Sequence, residues 1–111
     1  MRRYGSYSKY GNQKVTIDGI KFDSKREASY YLYFKGLERA GTIWDLQLQT
    51  KLDFKIDGKH IFFYKPDFEY NDEFGHHYID VKGVETPIFK LKKKIIEASY
   101  KIKIEVLKWR T

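Results

Sequence analysis

A chain of 111 residues, 41% of them hydrophobic and 18% aromatic, has the length of one domain and is too apolar for the disordered class. Its 22 Lys and Arg outnumber 15 Asp and Glu, and the net charge of +7 favours a polyanionic partner, most often nucleic acid. The absence of Cys excludes disulfides and thiolate metal sites, and no stretch nears the ~20 apolar residues of a membrane helix, so no membrane partner is expected.

The first stretch, "MRRYGSYSKYGN", has charge but not the apolar run of a signal peptide. Residues 1–12 read as a flexible, basic, Tyr-rich arm, and residues 13–111 as a single domain. The arm is either a frayed terminus or a DNA-binding segment. In the second case Arg2, Arg3 and Lys9 meet phosphates while Tyr4, Tyr7 and Tyr10 stack on unpaired bases.

"KVTIDGIKF" reads as a hairpin turning at Asp18-Gly19. A helix follows, with Ser24 as N-cap, Glu27 three residues on and Gly41 as the stop. At 100° per residue, Tyr30, Tyr33, Phe34, Leu37 and Ala40 gather on one side. From Leu46 to Ile56 apolar and polar residues alternate, which predicts one half-buried strand. Asp57-Gly58 turns it into "HIFFYK". Asp67–Asn71 and His77–Lys82 then flank the turn "NDEFG", Thr86-Pro87 opens a second helix, and "IKIEVLKW" closes as a strand. The order is hairpin, helix, three antiparallel strands, helix, strand: a single α/β domain with a mixed sheet.

A turn centred between Glu73 and Phe74 makes cross-strand partners sum to 147. Asp67 then faces Asp80, with Cβ atoms ~4.5–5.5 Å apart, and Lys82 shares their side of the sheet. Phe68, Tyr70, Ile79 and Val81 take the other side. Two carboxylates this close repel unless a cation intervenes. Mg2+ suits the role, since it binds through one or two carboxylates plus phosphate oxygens. Lys82 could position water or neutralise a developing oxyanion. A salt-bridge cluster on a solvated face is the alternative.

Glu27 falls within the apolar stripe of the first helix and either joins this cluster or only completes a capping box. On the second helix Lys90, Lys93, Lys94, Glu97 and Lys101 form an outer face that could follow a phosphate backbone. Lys92 falls among Ile88, Leu91, Ile95 and Ser99, on the side expected to meet the sheet, where it snorkels out or reaches an acidic cleft. Gln49, on the polar face of its strand, either lines a cleft or is a surface glutamine. His76 and His77 read as solvated, and with His60 they do not make a zinc site.

Glu27, Pro66-Asp67, twelve intervening residues and Asp80-Val81-Lys82 resemble the PD-(D/E)XK nuclease superfamily. More closely, "YGNQKVTIDGIKFDSKREA", "IWDLQLQTKLDF" and "YIDVKGVETPIFKLKKK" resemble a phage-encoded family of small nucleases related to Holliday junction resolvases. The likeness covers nearly the whole chain after residue 9. It implies a restriction-endonuclease-like core and a Mg2+-dependent DNA endonuclease, with Mn2+ able to substitute. Asp67, Asp80 and Glu27 would be metal ligands, Lys82 the catalytic cation, and Gln49 and Lys92 accessory residues. The implied substrate is branched or four-way DNA, cut by a homodimer in the cytoplasm of a bacterial host during phage recombination or replication. A nicking or flap-cutting nuclease, or a basic DNA-binding module without catalysis, are the competing readings.

Overall fold

The computed structural model describes residues 14–108. The expected arm, with Arg2, Arg3 and Lys9, lies outside them. Strands β1 (Val15–Ile17) and β2 (Ile20–Phe22) form the first hairpin. Its two turn residues, Asp18 and Gly19, both take positive φ (54° and 77°), as a tight two-residue turn requires.

Helix α1 (Lys25–Arg39) starts where the Ser24 hydroxyl accepts the Glu27 N–H at 3.1 Å. It ends in a Schellman motif: Gly41, at φ 80°, donates to the Glu38 carbonyl and Thr42 to that of Leu37, both at 3.0 Å. The buried face is Ala28, Tyr31 and Phe34, with Tyr30 and Leu37 at its margin. Tyr33, expected on that face, is 60% exposed, and Ala40 is exposed too. The first hairpin explains the rotation. Phe22 packs on Tyr31 with centroids 5.1 Å apart, and the Tyr31 hydroxyl donates to Asp18 at 2.7 Å.

The alternation from Leu46 to Ile56 is two strands, not one. β3 (Trp44–Leu48) and β4 (Leu52–Ile56) are separated by Gln49 in the left-handed region, φ 53°. Leu46 and Leu48 pack on one core cluster, whereas Leu52 and Phe54 belong to another. Among the described residues, β4 pairs only with β5 (Lys59–Tyr64), as a separate two-stranded sheet.

The main sheet has the order β3-β6-β7-β8, where β6 is Phe68–Asp72, β7 is Gly75–Lys82 and β8 is Ile104–Lys108. β3, β6 and β7 run antiparallel, and β8 lies parallel to β7 after helix α2 (Pro87–Tyr100). The molecule is thus mixed α+β with a mixed sheet and two helices, and five strands lie between the helices in place of the expected three, the β4–β5 hairpin being interposed between β3 and β6. The side of the sheet holding Phe68, Ile79 and Val81 packs against α1. Ile104 on the other side joins Leu52, Tyr64, Phe89 and Ile96.

Helix α2 has the expected start, with the Thr86 hydroxyl accepting the Phe89 N–H at 3.2 Å and Pro87 in the first turn. Its orientation differs from expectation. Phe89 and Ile96 are buried, while Ile88 is 57% and Leu91 53% exposed. The apolar arc of this helix is about half a turn wide, so periodicity alone left two orientations open. Among the described residues, no helix is long and apolar enough to cross a membrane.

Candidate active site

The register of β6 against β7 pairs Phe68 with Ile79 and Glu69 with Tyr78, the sum of 147 read from the turn. Asp67, one residue before β6, therefore comes in opposite Asp80. Buried Pro66 leads into it, a residue tolerated at the start of a strand because it has no N–H to donate. Asp67 Oδ2 accepts the Val81 N–H at 2.8 Å, and its carbonyl faces the Gln49 N–H at 3.4 Å. The turn that detaches β4 from β3 thus leaves Gln49 beside Asp67 through its backbone, with the residue itself exposed.

Asp80 sits in the middle of the sheet and is only 2% exposed. Its Oδ2 accepts the hydroxyl of buried Tyr64, from β5. Its Oδ1 faces the Lys82 ammonium at 3.9 Å, and that ammonium lies 4.4 Å from the centre of the Phe89 ring. Burial raises the Asp80 carboxyl to about 7, with the charge of Asp67 adding and the Tyr64 hydroxyl and Lys82 opposing. The Tyr64 hydroxyl is itself pushed far above its usual range by burial and by Asp80, so its proton stays on the tyrosine.

Glu27, in the first turn of α1, comes near enough to Asp67 to feel its charge. Only half of the expected capping box forms: Ser24 caps Glu27, but Glu27 Oε1 faces the Asp23 N–H, at 3.3 Å, in place of the cap's own. Burial and the neighbouring Asp67 raise its carboxyl to about 7. Asp67 acts on the charge of both Glu27 and Asp80, so the three carboxylates gather as a row around it. Among the described residues, no group of three or more His, Asp or Glu side chains stands as a ready-made metal centre. The donors present are nonetheless hard oxygens, and two of them, Glu27 and Asp80, give up a proton only against burial and the charge of Asp67. Such a set fits a small divalent cation, whose charge removes the repulsion.

The other expected residues divide. Lys92 does not reach the carboxylates; its ammonium lies 5.3 Å from the centre of the Phe62 ring on the β4–β5 hairpin. Lys90 and Lys94 are exposed as expected. Lys93 is half-buried and pairs with Glu97 at 3.0 Å, and Glu97 in turn accepts the Ile104 N–H at 2.8 Å, so this pair fastens α2 to β8. His76 and His77 are not merely solvated. His76 bonds Glu69 and Asn71 at 3.0 and 2.8 Å, and His77 stands between Asp72 and Glu105. Glu69, on the same side of the sheet as Asp67, is buried, and its Oε1 has no hydrogen-bond partner among the described residues.

Tyr64 escaped the sequence reading. A signal was present: in "HIFFYK" it alternates in phase with Phe62, and a tyrosine on a buried strand face needs a partner for its hydroxyl.

The fold and site together define a mixed α+β domain with a row of three carboxylates and a lysine where β6 enters the sheet. Residues 7–110 match the family described as "Protein of unknown function (DUF1064)", and the chain belongs to it. Comparison with curated proteins and with solved structures gives no match.

Proposed function

We propose that this protein is a divalent-cation-dependent DNA endonuclease with a restriction-endonuclease-like core, selective for branched DNA. The observation that carries the reading is the row Glu27–Asp67–Asp80 with Lys82 beside it, in a chain whose net charge is +7. A row of acids centred on one buried carboxylate is a poor way to stabilise a fold. It is a good way to hold Mg2+ or Mn2+ against a phosphodiester.

Asp67, Asp80 and Glu27 would hold the cation. When bound, it supplies positive charge to the scissile phosphate and acidifies the attacking water. The chain's own groups do the rest. The Val81 N–H and the Tyr64 hydroxyl fix Asp67 and Asp80 in place before substrate arrives. Lys82, steadied by Asp80 and the face of Phe89, offers a fixed cation to the negative charge that builds on the phosphate. Exposed Lys90 and Lys94 give the DNA backbone a place to lie. Resolving a four-way junction needs two related cuts, which a twofold homodimer provides. The uncovered Ile88 and Leu91 supply apolar surface for such an interface. The setting that goes with this activity is the cytoplasm of a bacterial host.

The test is cleavage of an end-labelled four-way junction beside a linear duplex of the same sequence. Each is run with Mg2+ and with EDTA, using the parent protein and Asp80→Ala. Paired cuts in the junction that need both Mg2+ and Asp80 are expected. Equal cutting of both substrates leaves a nicking or flap-type nuclease and removes branch selectivity. Binding of both without cutting, across several divalent metals, leaves a DNA-binding module and overturns the proposal.

A further inference from the structure

Each carboxylate of the row has one oxygen already engaged by a protein donor. Asp67 Oδ2 accepts the Val81 N–H, Asp80 Oδ2 accepts the Tyr64 hydroxyl, and Glu27 Oε1 faces the Asp23 N–H. On Asp80 the remaining oxygen, Oδ1, has Lys82 3.9 Å away, beyond hydrogen-bonding distance. An oxygen that already accepts a hydrogen bond has one lone pair committed and its direction fixed, so a tethered carboxylate offers a cation chiefly its other oxygen. Cations differ in what they accept. Ca2+ takes about 6–8 oxygens in flexible geometry and commonly chelates both oxygens of a carboxylate, whereas Mg2+ demands near-octahedral coordination by single oxygens and keeps several waters.

We propose that Tyr64 is a specificity-determining residue that makes Asp80 a one-oxygen ligand and so selects a small octahedral cation over Ca2+. The inference rests on the cation-site reading above. Of the three tethers, two are backbone N–H groups, and Tyr64 alone is a side chain. It reaches Asp80 from a different sheet, is buried, and packs beside Phe89 with centroids 6.3 Å apart. Removing the hydroxyl while keeping the ring frees Oδ2 for a second metal contact and leaves the packing in place.

The experiment uses the full chain without DNA, at pH 8. Mn2+ binding is followed by its electron paramagnetic resonance signal, and Mg2+ and Ca2+ by competition. The parent, Tyr64→Phe and Asp80→Asn are compared, with Tm measured on each. The parent is expected to bind Mg2+ at least as tightly as Ca2+. In Tyr64→Phe the preference moves towards Ca2+ by about tenfold, the scale on which groups that orient metal ligands act. Asp80→Asn loses both cations. An unchanged ratio in Tyr64→Phe, with both proteins still binding, overturns the role of Tyr64 and leaves the cation site standing. A parent that prefers Ca2+ overturns it without recourse to any variant. A parent that binds no cation, or binds it equally well as Asp80→Asn, overturns the cation site itself and this inference with it.

Discussion

At the tip of the β6–β7 hairpin, His77 stands between Asp72 at 2.8 Å and Glu105 at 2.6 Å and stacks on the Tyr70 ring, 5.0 Å between centroids. At the base of the same two strands, Asp80 stands between Asp67 and Tyr64 with its nearest cation 3.9 Å away. Both ends gather acids, and their electrostatics run in opposite directions. At the tip, partial burial works against the charge of Asp72, but His77 and the Phe74 N–H hold its carboxyl below the usual range. Hydrogen bonding to Glu105 and Asp72 raises His77. At the base, burial raises Asp80 and Glu27 to about 7. The tip is arranged for stability, and the base is where the proposed cation would offset the burial of charge.

The sharpest way to break the contrast is at the base. Asp80→Ala should reduce junction cleavage about 1,000-fold or more, the scale on which loss of a catalytic group acts. DNA binding, read by gel shift in EDTA, should persist. If the base is strained by charge, neutralising it stabilises the fold. Asp80→Asn keeps an acceptor for Tyr64 and should raise Tm by about 5 °C in EDTA at pH 8, where about 1 kcal/mol corresponds to about 4–8 °C. A lower Tm would place Asp80 among the stabilising groups instead.

The pH dependence separates the ends further. Asp80 and Glu27 have folded pKa values raised above their unfolded ones. Their contribution to stability is complete below about pH 4 and is lost as the pH rises through about 7. A bound divalent cation reverses that loss. The Tm gain on adding Mg2+ should therefore be larger at pH 8 than at pH 6, and a gain independent of pH would sever the cation from these two carboxyls. His77 has the same sign at the tip: its contribution is present below its ordinary pKa of 6.5 and lost as the pH climbs through its raised value. His77→Gln should lower Tm by about 3–5 °C at pH 6, and by less at pH 9. The smallest effect concerns the lysines of α2. Lys90→Gln with Lys94→Gln should weaken DNA binding a few-fold and flatten its dependence on log salt by about 2, at about 0.9 per phosphate contact. An unchanged slope would move the DNA to another face.

The base of the hairpin was legible in the sequence because a short turn and strict alternation determine register together. "NDEFG" set the pairing, and the apolar set Phe68, Tyr70, Ile79 and Val81 confirmed which side was which. Alternation does not report whether a strand continues. Leu46 to Ile56 kept its period through Gln49, while the backbone turned and delivered its two halves to different cores. Nor does it show which strand of a separate sheet comes to rest on the site, and so Tyr64 stayed hidden. On α2, an arc broad enough to be buried in two ways left open whether Lys92 snorkels out or reaches the cleft, and its ammonium lies 5.3 Å from the centre of the Phe62 ring.

The left-handed turn at Gln49 has a dynamic consequence. Because β4 and β5 hydrogen-bond as a sheet of their own, they can open together without breaking one ladder bond of the four-stranded sheet. Such a unit unfolds locally, at a lower free energy than the whole, and its amides exchange with solvent sooner. Tyr64 travels with it. Each opening withdraws the hydroxyl from Asp80 while the row of carboxylates stays in register, so the fold can loosen its grip on the site without unfolding.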